Sequence, residues 1–168
     1  MLLEFKTKNY KSFVEEASFS MMAAPKQKGL DYSLMKTKIK GKEIKGLSSS
    51  VIYGPNAAGK TNIIGAMDVL RSIVLRGNIR NSEEKSSPNP AASALELIPN
   101  NNESEAKPVC FEIEFYEEDG EEHKFKIHYE LQIDLGTFLE EEYQRKILAE
   151  VLEVNGERVF ERREGLKV

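Results

Sequence analysis

The sequence of 168 residues has no tryptophan, a single cysteine, two histidines and no long apolar run. Because Cys110 has no second cysteine to pair with, it cannot form an internal disulfide, and we interpret it as a small buried residue of a reducing compartment. No stretch approaches the roughly 20 apolar residues that a membrane-spanning helix requires. The N-terminus meets a charge at Glu4, without the apolar segment of a signal peptide. These absences predict a cytoplasmic protein with no membrane contact.

The charge balance limits which partners the whole surface can have. The 24 basic and 28 acidic side chains give a net charge of −4, which argues against a surface devoted to nucleic acid but allows a local basic patch. One lysine-rich stretch, with Gly41 as a turn between two short strands, is a candidate. We interpret its lysines as the solvated side of an exposed hairpin, with a nucleic-acid contact as the alternative. They are Lys36, Lys38, Lys40, Lys42 and Lys45.

The strongest motif matches the phosphate-loop (Walker A) pattern G-x-x-x-x-G-K-[ST] in full. It reads Gly54-Pro55-Asn56-Ala57-Ala58-Gly59-Lys60-Thr61. Its glycines let the backbone wrap around an anion, and the N–H groups of the loop and of the following helix start can donate to phosphate oxygens. Lys60 can reach the β- and γ-phosphates, and the hydroxyl of Thr61 can coordinate magnesium. The motif therefore predicts binding of ATP with Mg²⁺.

The flanks of this motif also fit. Val51-Ile52-Tyr53 reads as a compact buried strand, and residues 60–76 read as a helix that stops at Gly77. The apolar residues of this helix recur at spacings of three and four, which predicts one buried face. They are Ile63, Ile64, Met67, Leu70, Ile73 and Val74.

The remaining segments predict strands around a long loop. Residues 2–20 read as two short strands, and residues 78–107 as a polar loop with poor order at its ends. Residues 108–163 alternate apolar and polar side chains, which predicts antiparallel hairpins with turns at Asp119-Gly120 and Asn155-Gly156. Residues 138–147 are open between helix and strand. The length predicts one domain over 1–168, with parts 1–77, 78–107 and 108–168.

Other polar groups offer weaker candidates. Strand alternation places His123 and His128 on opposite faces, which is poor geometry for a metal, so we interpret both as surface histidines. The acidic clusters at 117–119 and 140–142 are interpreted as solvated turns or faces. Lys11 and Ser12 by themselves read as residues of a surface turn.

Three stretches resemble a known family. The segment Tyr53–Asn62 resembles the phosphate loop of ABC-type ATPase heads related to the structural-maintenance-of-chromosomes proteins and RecF, and especially the stand-alone AAA-family ATP-binding proteins of bacteria. The Pro-Asn after Gly54 and the asparagine Asn62 carry the distinction. Phe5–Phe13 is similar to the N-terminal strand and "N-[FY]-[KR]-S-F" turn of those heads. The tail at 153–162 is suggestive of the same family.

The resemblance implies a fold and a set of contacts. The fold class is α/β (α+β), the N-terminal lobe of an ABC-ATPase-like P-loop NTPase with an antiparallel β-subdomain. The family turn lies near the nucleotide, which adds Lys11 and Ser12 to the phosphate loop and Asn62 as candidate nucleotide contacts. The implied binding residues are Gly54, Pro55, Asn56, Ala57, Ala58, Gly59, Lys60, Thr61, Asn62, Lys11 and Ser12, with Thr61 as the metal ligand.

Hydrolysis in such heads uses residues that this sequence lacks. An apolar strand ending in Asp-Glu supplies the magnesium ligand and the water-orienting glutamate, but the nearest match, Leu131–Asp134, is followed by Leu135. The LSGGQ-like segment, glutamine loop and switch histidine also have no counterpart. We therefore expect half of an ATPase head, completed by a remaining half, dimerised around ATP and coupled to DNA or an effector nuclease, in antiphage defence or DNA repair.

Two other functions stay open at the level of sequence. A complete small P-loop kinase would need an arginine-rich lid, and Arg158, Arg162 and Arg163 are the only tight arginine group. A non-catalytic interaction module could carry the loop as a relic, although the intact Lys60 and Thr61 argue against it. Measured magnesium-dependent ATP affinity would separate the relic from the other two.

Overall fold

The computed structural model describes residues 1–24, 29, 31–79, 96–100, 106–119, 121, 123–137, 143–163 and 166–167. Residues 138–142 of the ambiguous segment therefore lie outside the described residues. The same holds for the predicted loop 78–107, except for residues 78–79, 96–100 and 106–107. The elements are β1 (Leu2–Lys8), β2 (Ala17–Ser20), a 3-10 turn (Asp31–Ser33), β3 (Leu34–Ile39), β4 (Lys42–Leu47), α1 (Lys60–Arg76), β5 (Val109–Glu118), β6 (Lys124–Asp134), β7 (Lys146–Val154), β8 (Glu157–Arg162) and β9 (Leu166–Lys167).

One antiparallel sheet dominates the described part of the chain. Its seven strands run in the order β2-β1-β5-β6-β7-β8-β9, and β3 and β4 pair as a separate hairpin. β1 lies between β2 and β5, with Phe5 opposite Phe19 on one side and Ile113 on the other. The first two strands and the hairpins of the C-terminal part are confirmed, and the fold is a sheet-dominated α+β arrangement.

The two faces of this sheet differ in chemistry. Because strand side chains alternate between faces, one face collects apolar residues that pack with α1 into a single core. Phe5, Phe111 and Leu131 are fully buried there. The other face carries ion pairs between neighbouring strands, such as Lys6 with Glu112 at 2.9 Å.

The helix bounds match the prediction, but its buried face is different. α1 runs over Lys60–Arg76 and ends at Gly77, whose φ of 67° is left-handed as a helix-ending glycine requires. Ile64 and Val74, which the sequence placed on the buried face, are 58% and 57% exposed. Ala66 and Val69 are buried instead, because the sheet covers only one side of the helix.

The predicted buried strand Val51-Ile52-Tyr53 is wrong for this structure. These residues form no strand, and Val51 and Tyr53 are 82% and 90% exposed. A strand requires hydrogen-bonding neighbours, and no strand among the described residues pairs with this segment. The apolar residues of this segment therefore stay exposed at the surface.

The lysine-rich stretch forms the β3–β4 hairpin. Lys40 and Gly41 both have left-handed φ, 47° and 79°, which fits a two-residue turn. The lysine side chains Lys36, Lys40 and Lys45 bond to acidic neighbours, for example Lys40 to Glu157 at 2.8 Å. The hairpin is thus exposed as the sequence predicted, and the ion pairs of its lysines are an addition from the structure. No helix of the described part is both long and apolar enough to cross a membrane.

Candidate nucleotide-binding site

The phosphate loop connects the exposed segment at 51–53 to the first turn of α1. Residues 51–58 are exposed, and Ala58 N–H donates to the Pro55 carbonyl across 3.3 Å. Ala57 and Gly59 have left-handed φ values of 63° and 80°. For alanine this conformation costs roughly 1–2 kcal/mol.

The helix start faces the loop without a side-chain cap. Gly59 is the N-cap residue and has no side chain to bond the first N–H groups of α1. In P-loops the phosphate oxygens accept hydrogen bonds from such N–H groups, and the positive end of the helix dipole attracts their negative charge. No acidic residue lies in the first helical turn, so nothing there opposes an anion.

Lys60 holds its ammonium group inside the loop. Its Nζ atom donates to the Gly54 carbonyl at 2.8 Å and to the Pro55 carbonyl at 2.6 Å. These acceptors are neutral, and no carboxylate among the described residues forms an ion pair with Lys60. A cation held only by carbonyl dipoles is suited to binding an anion, since a phosphate oxygen can replace a carbonyl.

Ser12 lies directly against the loop. Asn62 Nδ2 donates to Ser12 Oγ across 2.7 Å. A Cβ atom added to Gly59 would lie 3.1 Å from both Ser12 Oγ and Phe13 Cε1. The turn at Asn9–Phe13 therefore packs on the junction of loop and helix.

Lys11 points its charge to a different partner. Its Nζ bonds to Glu96 Oε2 at 2.5 Å and lies 5.6 Å from the centre of the Tyr10 ring. Partial burial alone would lower the pKa of Lys11, but the hydrogen bond and charge of Glu96, with the Tyr10 contact, raise it. The structure thus brings Ser12 and Asn62 to the loop and engages Lys11 elsewhere.

Thr61 is exposed at the second position of the helix. Magnesium in such sites takes one or two protein oxygens together with phosphate oxygens and water, so a single hydroxyl is a fitting contribution. Among the described residues no group of three His, Cys, Asp or Glu side chains could hold a metal by itself. Within the described part of the chain, Thr61 is therefore the candidate magnesium ligand, and phosphate oxygens and water would complete the coordination together with it.

Sequence reasoning missed the segment at 96–100. Ile98 and Asn100 bond to the turn beside the phosphate loop, as Glu96 does through Lys11. No sequence pattern linked them to the site, because they belong to the predicted polar loop and reach the turn only through tertiary structure. Phe13 was part of the motif but had no role assigned.

The weaker candidates form local contacts away from the loop. His123 Nδ1 lies 2.9 Å from Asp119 Oδ2, and His128 Nε2 lies 2.8 Å from Glu130 Oε1. Asp134, the last residue of the segment Leu131–Asp134 that lacks a following glutamate, lies on the antiparallel strand β6 and accepts a hydrogen bond from Tyr143. The acidic cluster at 140–142 lies outside the described residues.

The arginine group of the kinase alternative is engaged in ion pairs. Arg158 bonds to Glu153 at 3.1 Å, Arg162 to Glu150, and Arg163 to Glu161. All three arginines sit on or just after β8. Nothing in this arrangement favours a phosphoryl-acceptor lid.

Comparison with known proteins identifies the family. A family profile described as "AAA domain, putative AbiEii toxin, Type IV TA system" matches residues 49–162, more than half of the chain. The chain belongs to this AAA family. The matched range of the AAA domain begins just before the phosphate loop and ends at the last residue of β8, so it includes the loop, α1 and strands β5–β8.

Membership of the AAA family makes this a domain of the P-loop ATPase type, and such domains bind nucleotide, typically with Mg²⁺. No curated protein matched the chain, and no solved structure did. The family match therefore supports the ATPase class, while the use of individual loop residues rests on their geometry.

Proposed function

We propose that this chain binds ATP with magnesium through residues 54–61 and forms the ATP-binding lobe of an ABC/SMC/RecF-like ATPase head. One observation carries the proposal. A complete phosphate loop ends at a helix N-terminus without a side-chain cap, and the Lys60 ammonium is held beside it by the Gly54 and Pro55 carbonyls, with no carboxylate partner in the described part of the chain. This arrangement fits a polyphosphate, since it offers backbone donors and a cation to the same anion.

Each loop residue has a separate task in this proposal. The backbone N–H groups of the loop and of the helix start bind the phosphate oxygens. Lys60 exchanges its carbonyl partners for the β- and γ-phosphates, and Thr61 contributes its hydroxyl to magnesium. Asn62 and Ser12, bonded to each other at 2.7 Å, brace the helix start beside the bound phosphates.

Hydrolysis requires residues that this sequence does not contain. In P-loop ATPases an acidic residue holds magnesium and another orients the attacking water. No Asp-Glu dipeptide occurs anywhere in the 168 residues. We propose that the remaining half of the head supplies them, and that two heads close around ATP and reopen after hydrolysis.

Exposed apolar surface supports a further half. Val51 and Tyr53 are exposed beside the phosphate loop although their composition is that of a strand. A hollow of about 740 Å³ also lies between α1 and the apolar face of the sheet. It is lined by side chains such as Leu70, Val74 and Phe115. Large exposed apolar patches are unusual on a monomer, and they mark interaction sites, among them surfaces that another polypeptide covers.

The process that ATP binding and hydrolysis would drive is proposed from the likeness to the family. The family description names a toxin and a type IV TA system, which fits a role in antiphage defence in which ATP drives an effector. DNA repair through a DNA or nuclease partner is the related possibility within the ABC/SMC/RecF-like group. The net charge of −4 gives this chain no general affinity for DNA.

Nucleotide titration tests the proposal directly. We expect magnesium-dependent ATP binding by calorimetry, weakened about ten- to a hundredfold by Lys60→Ala, because hydrogen bonds to charged groups contribute roughly 1.5–3 kcal/mol. Lys42→Ala, which removes an exposed lysine of β4, is the matched control and should leave the affinity unchanged. Absence of binding at millimolar ATP would instead favour the relic loop.

Turnover measurements test the half-head. The isolated chain should hydrolyse ATP very slowly, since the acidic pair is absent. Robust ATPase activity that disappears in Lys60→Ala would contradict the proposal and favour a complete enzyme.

A further inference from the structure

The turn Asn9–Phe13 lies between the phosphate loop and the segment at 96–100. The turn closes on itself through Tyr10 N–H to Phe13 O at 3.1 Å and Phe13 N–H to Tyr10 O at 2.9 Å. Asn9 and Lys11 have left-handed φ values of 54° and 48°. Such conformations persist in residues other than glycine only where surrounding contacts hold them.

One side of the turn touches the phosphate loop. Ser12 Oγ accepts the hydrogen bond of Asn62, in the first turn of α1. The Phe13 ring packs against Gly59, where an added Cβ atom would lie 3.1 Å from Cε1. A displacement of this turn would therefore release the junction between loop and helix.

The other side of the turn is held by the segment at 96–100. Asn100 Nδ2 donates to the Lys11 carbonyl across 2.6 Å, and Asn100 N–H donates to the Asn9 carbonyl across 3.1 Å. Lys11 N–H donates to the Ile98 carbonyl at 3.0 Å. Asn100 is only 7% exposed, so water does not readily replace its amide.

We propose that Asn100 is a positioning residue of the nucleotide site, which holds the turn Asn9–Phe13 against the phosphate loop through the carbonyl of Lys11. The inference rests on the proposed function in that the loop is taken as the ATP site. Asn100 bonds to the carbonyl of Lys11, which precedes Ser12 in the turn, and to the carbonyl of Asn9.

The physical reason is that both left-handed residues of the turn have their carbonyls bonded to Asn100. Removing the side-chain amide leaves the partly buried Lys11 carbonyl without that donor, which favours release of the strained turn. Ser12 and Phe13 then lose their fixed positions, and Gly59 and Asn62 lose the contacts that order the start of α1.

Hydrogen exchange measures this positioning without any ligand. Asn100→Ala should increase amide exchange severalfold at Asn62 and Ile63, the two amides in residues 59–63 that donate to the Gly59 carbonyl, relative to the unmodified chain. The matched control is Asn155→Ala, since Asn155 is also left-handed, with φ 55°, and bonds through its side chain to the backbone of β6. The control should change exchange around β6 and β7 and leave residues 59–63 unaffected.

Ligand titration then separates phosphate positioning from general loss of stability. Asn100→Ala should weaken binding of ATP and of magnesium tripolyphosphate by the same factor, about three- to tenfold, which corresponds to one hydrogen bond fully transmitted. Asn155→Ala should leave both affinities unchanged even where it lowers the melting temperature more. A Ser12→Ala, Asn100→Ala double variant should bind no more weakly than the worse single variant, since both act through the same turn.

The outcomes separate this inference from the proposed function. Unchanged exchange at residues 59–63 in Asn100→Ala overturns the positioning role, whatever the ATP affinity. An equal loss of affinity in Asn100→Ala and Asn155→Ala overturns it as well, because that pattern is general destabilisation. Faster exchange together with no ATP binding in the unmodified chain supports the positioning of the loop and contradicts the proposed function alone.

Discussion

Gly59 joins the phosphate loop to α1 and satisfies two separate requirements. Its φ of 80° lies in the left-handed region that residues with a Cβ atom rarely adopt. Its missing Cβ also leaves room for Ser12 Oγ and Phe13 Cε1, each 3.1 Å from the position that a Cβ would take. Sequence reasoning explains the backbone requirement from the motif, whereas only the folded chain reveals the packing against the turn.

Two glycine variants separate these requirements. Gly41 has nearly the same backbone angle, φ 79°, but no atom within 4 Å of an added Cβ. We expect Gly41→Ala to lower the free energy of unfolding by about 1 kcal/mol through backbone strain alone. Gly59→Ala should destabilise more and also weaken ATP binding, since the turn must move. Urea unfolding and calorimetry check this, and equal effects of the two variants on stability would rule out the packing requirement.

At the scale of elements, apolar–polar alternation predicted the strands of the C-terminal part better than apolar composition predicted a strand before the phosphate loop. The alternation in 108–163 predicted the antiparallel strands of this part and the turn at Asn155-Gly156, because each strand has one apolar and one polar face. The same reasoning placed a buried strand at 51–53, where the structure has exposed backbone. Apolar β-branched residues indicate what a strand would bury, but pairing depends on neighbours that local sequence does not contain.

A polar cluster within the sheet predicts a dependence of stability on pH. Tyr129 on β6 donates to Glu150 on β7 across 2.7 Å, and Glu150 also bonds Arg162 on β8. Burial, and then the hydrogen bond and charge of Glu150, raise the pKa of Tyr129 above its usual value of 10.0. Because the folded-state pKa is the higher one, the stability due to this group is present below pH 10 and falls as the pH rises further.

Alkaline unfolding checks this cluster. The free energy of unfolding should decrease between about pH 9.5 and 11, because the unfolded chain loses the tyrosine proton first. Tyr129→Phe should remove part of that slope, whereas Tyr32→Phe, at a side chain that is 85% exposed, should not. An identical slope in the unmodified chain and in Tyr129→Phe would contradict the assignment.

At the scale of the whole molecule, the phosphate loop lies at the edge of the folded core. The core cluster joins α1 to β1, β5 and β6, while the segment that leads into the loop makes no strand pair within the described residues. Under the proposed half-head, residues 51–53 become a paired strand when the remaining half is present. The free energy of unfolding of the isolated chain should then not depend on residues 51–53.

Substitution of a valine by aspartate tests whether stability depends on residues 51–53. Val51→Asp should change the free energy of unfolding by no more than about 0.5 kcal/mol, as expected for an exposed position. Val109→Asp is the matched control at a fully buried valine of β5, and should lower it by several kcal/mol through burial of a charge. Thermal and urea unfolding measure both. A loss above about 2 kcal/mol in Val51→Asp would indicate that the segment is buried in this chain itself.

The sequence by itself determined the phosphate-loop motif, the helix bounds at Lys60–Arg76 and the alternating strands, because these depend on residue type and local periodicity. Tertiary structure decided which helix face is buried, that Val51–Tyr53 is exposed, and that Ser12 reaches the loop while Lys11 bonds to Glu96. It also brought Asn100 to the turn, 89 residues along the chain from Lys11. These features depend on contacts between distant segments, and no local pattern encodes such contacts.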